Sequence, residues 1–415
     1  VITLVNGLHF WIPTLPSIPV KRQDLRYLFE TPPWSAVRIG SVFWSTYPFA
    51  VGLSFLVPLD LSFSIWVFFL LHKLQLVAAH AAGYAGTQVP YSNQQSIGAY
   101  LAILCGALWM GRGSFRLLLA EAFSRNAGPE ARAERWAVLG LGSGLVLLYA
   151  FLLGVGLSPA IAAAFLGLYL ALIVMITRIR AELGFPVHDL AGVGPHHTLV
   201  ALLGTPAIGA NSLAGFGLLY AFVRRFTSHP MPHHLEALKM GDLTGASPRA
   251  ISSAGLIAAA VGIAVGFWLF LDRYYAIGAE SAYWNGWTWW LGREAMNTAS
   301  NWVSNPTPAE PGALVATGAG FAFALFLNLL RLRLARFPFH PLAYAVAPSW
   351  GIANLWSCVL IAWLAKAVIL RWAGLKGYRR AVPFFLGLVL GEFVCGAGWT
   401  LAGILLDQPS YDFWP

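Results

Sequence analysis

Charged residues are scarce in this sequence. Asp, Glu, Lys and Arg make up only 10% of its 415 residues, whereas 58% of the residues are hydrophobic. A soluble globular chain carries roughly 25% charged residues, so a 45.0 kDa protein of this composition has too little charge to cover a water-exposed surface. The scarcity excludes a soluble protein and indicates an all-α polytopic membrane protein. The 18 Trp and 27 Phe residues fit aromatic belts at two membrane interfaces.

Cysteine and familiar catalytic motifs are lacking too. The three cysteines, Cys105, Cys358 and Cys395, lie inside apolar runs, which argues against a disulfide framework or metal cluster and favours small core residues. The chain has no Walker motif, no G-x-S-x-G and no H-E-x-x-H. We therefore expect no catalytic residue of those classes, no cofactor and no metal ion. The start at Val1, without an initiator Met or a cleavable leader, predicts further residues upstream.

The net charge of +9 comes from Lys and Arg clusters at the ends of apolar runs. Such clusters set membrane topology and contact anionic headgroups, so we expect membrane lipids as partners and no nucleic acid. Enrichment of cytoplasmic loops in Lys and Arg places residues 116–135, 178–180, 224–249, 331–336 and 371–380 inside. The Trp-rich segment 272–311 and the acidic tail then lie outside. The basic residues of 21–38 also fall outside, against the rule.

Apolar runs predict the membrane segments. Spans are expected at about 39–57, 62–81, 95–115, 136–156, 158–179, 250–271, 312–332, 353–371 and 381–405. The apolar stretch 198–223 is interrupted between Gly204 and Asn211. At about 1.5 Å per residue, each half is too short to cross a core about 30 Å thick, which predicts a re-entrant or broken segment. With a short Pro-containing piece at 338–354, the fold is predicted to be a helical bundle of about 10–12 membrane elements.

The pattern divides the chain into five parts. An N-terminal interfacial segment, 1–38, precedes a first membrane half, 39–180. Broken or re-entrant helices and a polar loop occupy 181–249. A span and a Trp-rich extracytoplasmic loop occupy 250–311, and a second membrane half occupies 312–415.

A weak internal repeat relates the two halves. Identical residues recur 290 positions apart in 47–109 and 337–399, among them Pro58 with Pro348 and Trp66 with Trp356. No identities lie between residues 75 and 104, so a chance resemblance stays open. Counting the spans gives the two copies opposite orientations. This predicts an inverted repeat, which is typical of secondary transporters.

Three ionisable residues fall deep inside predicted spans, where a charge costs roughly 2.5–3.5 kcal/mol on insertion scales and marks function by default. Lys73 and Lys366 lie at nearly the same depth in matching helices, and Glu392 lies near mid-membrane. We interpret the two lysines as facing a central cavity that receives an anionic group, with Glu392 as counter-ion or proton carrier. The alternative is an internal Lys–Glu pair that fixes packing, or a snorkelling lysine.

The stretch before the broken segment carries further candidates. Glu182, His188 and Asp189, with Asn211 at the break, predict a substrate or ion site, because freed carbonyls and half-helix ends bind such ligands. Ordinary cytoplasmic turn residues are the alternative. The pairs His196-His197 and His233-His234 lack a supporting metal-ligand pattern and are interpreted as loop residues. His72 and His80 are interpreted as proton-relay groups or interfacial packing.

Several motifs carry a family resemblance. They are Pro58-Leu-Asp60-Leu-Ser-Phe-Ser64-Ile-Trp66 with Lys73-Leu-Gln75, Arg178-Ile-Arg-Ala-Glu182-x-Gly184-x-Pro186, Phe339-His-Pro341-Leu-x-Tyr344, and Tyr378-Arg-Arg380 through Gly391-Glu392. From about residue 40 onward the chain resembles an uncharacterised bacterial permease-like family that is remotely similar to the oligopeptide transporter superfamily. The resemblance implies an inverted-repeat bundle in the bacterial cytoplasmic (inner) membrane and proton-coupled uptake of peptides or metal chelates. No substrate ligand transfers to a numbered position.

Three hypotheses about function follow. The first is a secondary transporter of a small-molecule substrate, driven by protons or another cation, with Lys73, Glu182, Lys366 and Glu392 along the path. The second is a non-transporting structural or assembly subunit of a larger membrane complex or homo-oligomer. The third is a membrane-embedded enzyme that acts on lipid-linked substrates through the residues of 182–197 and 229–234. The direction of the intramembrane charges discriminates between the first two.

Overall fold

The computed structural model describes residues 1–124, 129–184, 193–224, 226, 228–278, 287–334 and 336–412. These residues form fifteen α-helices and only one antiparallel pair of two-residue strands, β1 (Gln23–Asp24) and β2 (Phe43–Trp44). The helices are α1 (Ile2–Trp11), α2 (Pro48–Leu56), α3 (Leu59–Ala81), α4 (Ser92–Ala122), α5 (Pro129–Gly154), α6 (Pro159–Leu183), α7 (Pro195–Leu203), α8 (Thr205–Ile208), α9 (Ala210–Val223), α10 (Pro230–Thr244), α11 (Pro248–Ile277), α12 (Trp287–Ser304), α13 (Pro311–Arg333), α14 (Pro341–Val346) and α15 (Trp350–Leu406). The all-α prediction is confirmed.

Seven of the described helices are long and apolar enough to cross a membrane, namely α3, α4, α5, α6, α11, α13 and α15. The protein is therefore a multi-pass membrane protein. Of the cysteines predicted to be core residues, Cys358 is buried and Cys395 half-buried, but Cys105 is exposed, so that prediction is wrong for Cys105.

Helix α15 folds back on itself at Gly374, whose backbone leaves the helical region (φ 60°, ψ −161°). A continuous helix would separate residues 366 and 385 by roughly 28 Å. Both residues nevertheless contact Phe55: the Lys366 Nζ atom lies 5.9 Å from the centre of its ring, and the Phe385 ring stacks on it at 3.6 Å. The first arm (350–373) and the second arm (375–406) thus form a helical hairpin, which agrees with the two predicted spans at 353–371 and 381–405.

The predicted span at 39–57 is wrong. This segment contains β2 and then only the nine-residue helix α2, which is about 13 Å long and too short to cross the membrane. Gly40 has a positive φ of 72°, and prolines at 48 and 58 open α2 and follow it. Hydropathy alone cannot separate such an extended-plus-short-helix segment from a span, because both are equally apolar.

The predicted break in 198–223 is confirmed. Gly204 and Gly209, with φ of 76° and 82°, separate α7, α8 and α9, a conformation that glycine adopts without steric cost. A distant segment satisfies the freed backbone groups: the Thr205 amide donates to the Thr307 carbonyl at 2.9 Å, and the Glu310 amide donates to the Ala201 carbonyl at 3.1 Å. Irregular backbone at membrane depth needs such protein partners.

The chain divides into two compact units. Unit 1 comprises Val1–Tyr100, Glu182–Leu190 and Val315–Pro415, and unit 2 comprises Leu101–Ala181 and Ala191–Leu314. In unit 1, glycines allow α4 and α13 to approach closely. A Cβ atom on Gly98 would lie 1.9 Å from the Thr317 carbonyl oxygen, and one on Gly320 would lie 2.1 Å from the Gln95 carbonyl oxygen.

A short helix, a proline and a long helix occur twice in unit 1, first as α2, Pro58 and α3, and then as α14, Pro348 and α15. Each long helix also holds the extended backbone that precedes the other short helix. Ser64 on α3 donates to the Pro338 carbonyl at 2.8 Å and accepts from the His340 amide at 2.9 Å. Ser357 on α15 donates to the Ser45 carbonyl at 2.7 Å and accepts from the Ser45 amide at 3.0 Å.

Candidate functional site

The two deep charges on α15 lie at opposite ends of α2. The Glu392 carboxylate accepts a hydrogen bond from the Phe49 amide at 2.5 Å, in the first turn of α2. The Lys366 ammonium donates to the carbonyl of Val57, the residue that follows the last turn, at 2.8 Å. An anion at the N-terminus and a cation at the C-terminus both stabilise the helix macrodipole. The hairpin of α15 explains this placement, because each of its arms brings one charge to one end of the short helix.

Lys73 on α3 makes a comparable contact elsewhere. Its ammonium donates to the Ile39 carbonyl at 2.9 Å, beside the Phe69 ring. Lys73, Lys366 and Glu392 are 7%, 7% and 3% exposed, so each is held inside packed protein. The three side chains contact three different backbone segments of unit 1, and the structure does not bring them together around one cavity.

A cavity of unit 1 lies between α3, α4, α13 and α14. It has a volume of about 380 Å³ and is open to the outside. Its lining combines hydrogen-bonding side chains with aromatic rings: His72, Gln75, Ser92, Gln95, Ser96, Tyr344, Phe68 and Phe323. Protein pockets for small molecules have this composition, and their volumes run from roughly 300 to 1,000 Å³.

Local structure fixes the polar residues of this cavity. Ser92, Gln95 and Ser96 belong to the first turns of α4. The Gln95 side chain is held from two directions, since its amide nitrogen donates to the Pro90 carbonyl at 2.6 Å and its oxygen accepts from the Tyr344 hydroxyl at 3.0 Å. The missing Cβ atom of Gly320, described above, lets α13 approach the same turn closely. His72 lies beside Lys73 but points into this cavity.

The broken helices of unit 2 carry a pair of histidines whose rings are in contact. His196 is 1% exposed, its ring lies 4.2 Å from that of His197, and Tyr220 and Trp302 pack against it. Both ring nitrogens of His196 have no hydrogen-bond partner among the described residues. The interpretation of this pair as loop residues is therefore wrong. Gly194 makes room for the ring, because a Cβ atom there would overlap it.

An ion pair lies beside the histidines. The Arg224 guanidinium donates to the Glu294 carboxylate at 2.7 Å, and its side chain is 19% exposed. Arg224 also lies over the Trp290 ring at 5.0 Å. Neither Arg224 nor Glu294 stands out in the sequence. Arg224 follows the end of α9 at the start of a polar stretch, and Glu294 lies within α12, in a segment that the sequence predicts to be a Trp-rich loop.

The remaining predicted site residues lie apart from these clusters. Glu182 is an exposed residue in the last turn of α6. Asn211 is exposed at the start of α9 and lines an open depression of unit 2 with Gly156, Ser158 and Ser212. His188 and Asp189 lie outside the described residues. Whether any of these residues binds a substrate or an ion stays a prediction.

The sequence did not predict Gln95, Ser96 or Tyr344 as site residues, although Tyr344 belongs to one of the motifs that carry the family resemblance. Uncharged polar side chains carry no insertion penalty comparable to that of a lysine, so hydropathy does not mark these residues as unusual. The 249 residues between Gln95 and Tyr344 also conceal their contact.

Comparison with known proteins gives a family but no characterised relative. No curated protein and no solved structure matches the chain. The similarity to the oligopeptide transporter superfamily therefore stays a prediction. A family model matches residues 1–415 in full, and the chain belongs to that family, a family of unknown function (DUF6785).

Proposed function

We propose that the protein is a secondary transporter that carries a small polar solute across the membrane by alternating access. The observation that carries the proposal is the cavity of about 380 Å³ between α3, α4, α13 and α14. Substrate sites of such transporters lie where two repeats meet and where short or broken helices end. This cavity lies between α3 and α4 of the first predicted copy and α14 of the second.

The chemistry of the lining defines the solute. The cavity presents amide, hydroxyl and imidazole groups, and none of its lining residues is Asp, Glu, Lys or Arg. Aromatic rings of Phe68 and Phe323 supply apolar walls. This lining suits a neutral or zwitterionic solute with hydrogen-bonding groups, such as a small peptide, better than a highly charged one. His72 is the titratable imidazole of the lining and the candidate for proton coupling.

The contacts of the two serines support an inverted repeat. Residue 357 lies 293 positions after residue 64, and residue 338 lies 293 positions after residue 45. Moving Ser64 forward by 293 positions and Pro338 back by 293 positions therefore turns the Ser64–Pro338 contact into the Ser357–Ser45 contact. Lys366 lies 293 positions after Lys73, so the deep lysines follow the same register. The identical residues of the two copies are 290 positions apart. This spacing differs from 293 by three residues, which is about one helical turn.

Cysteine labelling tests alternating access without knowledge of the solute. In a chain whose three native cysteines are replaced by Ala, Ser92→Cys and Ala319→Cys place thiols in the cavity lining. Leu256→Cys is the control, because this exposed residue of α11 does not line that cavity. We expect membrane-impermeant thiol reagents to label the cavity positions from both sides of the membrane and the control from neither. Labelling from one side alone would contradict alternating access.

Uptake into proteoliposomes tests transport itself. A panel of small peptides, amino acids and metal chelates is offered under an imposed proton or sodium gradient. His72→Gln should lower uptake at least about tenfold if the imidazole carries the coupled proton. His80→Gln is the matched control on the same helix, since His80 contacts the Pro33 carbonyl and does not line the cavity. If the uptake of every solute in the panel were independent of the imposed gradient, this result would argue against the proposal.

A second candidate function is favoured by α11. This helix of 30 residues is strongly apolar, yet none of its residues is buried in the chain. Such a helix suits a contact with other subunits in a larger membrane complex, where the protein would serve as a structural or assembly subunit. Cross-linking from Leu256→Cys and Phe267→Cys in native membranes discriminates between contact with another subunit and contact with lipid. Only contact with a subunit yields a protein adduct.

A further inference from the structure

The structure assigns a binding site for a phosphate-bearing anionic headgroup to a second cavity of unit 1, independently of the proposed transport function. This cavity, which we call the α3–α13 cavity, has a volume of about 510 Å³. It is lined by Leu59, Asp60, Phe63, Arg331, Leu334, Arg336, Phe337, Pro338 and Trp363. It lies where α3 begins and α13 ends, which places it at a membrane boundary.

The charge of the α3–α13 cavity favours an anion. Two arginines, Arg331 and Arg336, face one carboxylate, Asp60. The Arg331 Nη2 atom lies 3.2 Å from the Asp60 carboxylate, so one positive charge is offset and one remains. Arginine is the side chain best shaped to bind phosphate, because its planar fork donates two parallel hydrogen bonds.

Two hydrogen-bond donors near the cavity lack an acceptor. The Nη1 atom of Arg331 and the indole Nε1 atom of Trp66 are buried without a hydrogen-bond partner among the described residues. The Trp66 ring packs at 5.4 Å against both Phe63 and Trp363, which line the cavity. Unsatisfied buried donors are rare in proteins and need an explanation. Of the two residues, only Arg331 lines the cavity, and because its unpartnered group is a donor, the partner that completes it is an acceptor.

The apolar lining points to an amphiphile. Phe63, Phe337 and Trp363 form an aromatic wall beside the arginines. Aromatic rings and basic side chains at a membrane boundary contact the headgroup and the first carbons of a lipid. The clusters at 331–336 were predicted to lie on the cytoplasmic side, where anionic lipids are enriched. A phospholipid phosphate and a free phosphate share this chemistry, and the lipid accounts for the aromatic wall as well.

Lipid titration of the purified, delipidated full-length chain tests the site. Binding is followed by native mass spectrometry and by thermal shift with phosphatidylglycerol, phosphatidylcholine and inorganic phosphate. The test variant is Arg331→Gln/Arg336→Gln. The control is Arg333→Gln/Arg379→Gln, which removes the same charge from basic residues that do not line the cavity.

We expect phosphatidylglycerol to bind at one saturable site and the test variant to weaken this binding by about tenfold or more, because two charge-assisted hydrogen bonds are lost. The control should change it by less than about twofold. Displacement of the lipid by inorganic phosphate would support the phosphate contact. A thermal shift with inorganic phosphate but not with phosphatidylglycerol would assign the site to a soluble anion. Equal binding by the test and control variants, or equal binding of phosphatidylcholine, would overturn the inference. If the double variant does not fold, Arg336→Gln alone is the test variant, because Arg336 is exposed. Unchanged phosphatidylglycerol binding by this variant would then overturn the inference.

Discussion

Glu392 and Lys366 lie at the two ends of α2, and each bonds to its backbone. The carboxylate binds the Phe49 amide and the ammonium binds the Val57 carbonyl. A nine-residue helix leaves most of its terminal amides and carbonyls without intrahelical partners, and lipid supplies none. The two contacts thus give both charges a structural role, and their predicted role towards a solute stays a prediction.

Glu392 provides the test of this role. Glu392→Gln keeps an oxygen that can accept from the Phe49 amide, so most of the stability should be retained. Glu392→Leu removes this acceptor, and we expect a loss of roughly 1–3 kcal/mol in the free energy of unfolding. Thermal unfolding in detergent measures both. Equal losses for the two variants would show that the charge matters more than the acceptor. Loss of uptake in Glu392→Gln at unchanged stability would instead support the predicted proton carrier.

The sequence predicted those features that alter the hydropathy of a segment or the conformations that its backbone can adopt. Pro and Gly residues between 204 and 209 predicted the break, and the depth of Lys73 and Glu392 marked them as unusual. Partners were not predictable, because Glu392 contacts a residue 343 positions away. Glu392 and Lys366 contact backbone groups at the two ends of α2, which is a short helix and not the span that its hydropathy suggests.

The packing of α13 against α4, beside the cavity of about 380 Å³, depends on Gly320. A Cβ atom there would overlap the Gln95 backbone, whereas one on Gly318, on the same helix, would have nothing within 4 Å. We expect Gly320→Ala to destabilise the protein by about 1–3 kcal/mol and to lower uptake, because Gln95 lines the cavity. Gly318→Ala should be neutral or slightly stabilising, since alanine is the better helix former. Thermal unfolding of the two variants checks this, and equal stability would show that the close approach of α4 and α13 is dispensable.

His196 is an unusual case of a buried side chain whose replacement should cost little. A buried polar group without a partner is penalised by roughly 1–3 kcal/mol, so His196→Leu should leave stability unchanged or raise it. Phe216→Ala is the control in the same unit, as this ring is 0% exposed and its removal should cost about 3–5 kcal/mol. If thermal unfolding shows comparable losses, the imidazole has a partner that the described residues do not include. Loss of uptake without loss of stability would give His196 a role in transport.

The helix α10 has a pH-sensitive N-terminus. The His229 Nδ1 atom accepts a hydrogen bond from the Met231 amide at 3.2 Å, which requires that this nitrogen be unprotonated. Burial, with a smaller contribution from His233, lowers the pKa of His229 below its ordinary value of 6.5. Because the folded state favours the neutral ring, its contribution to stability is fully present above about pH 6.5 and is lost as the pH falls through the lowered pKa.

Hydrogen exchange of the Met231 amide measures this cap. After correction for the intrinsic rate, protection should fall as the pH drops below 6.5, the ordinary pKa of an imidazole, and through the lowered pKa of His229. In His229→Asn, which keeps an acceptor at the cap, protection should be independent of pH. The Ala250 amide, capped by the Ser247 hydroxyl at 3.2 Å, is the internal control, because a hydroxyl does not titrate in this range. An imidazole titration of His229 centred above 6.5 would contradict the prediction, since it would mean that the folded state favours the charged ring.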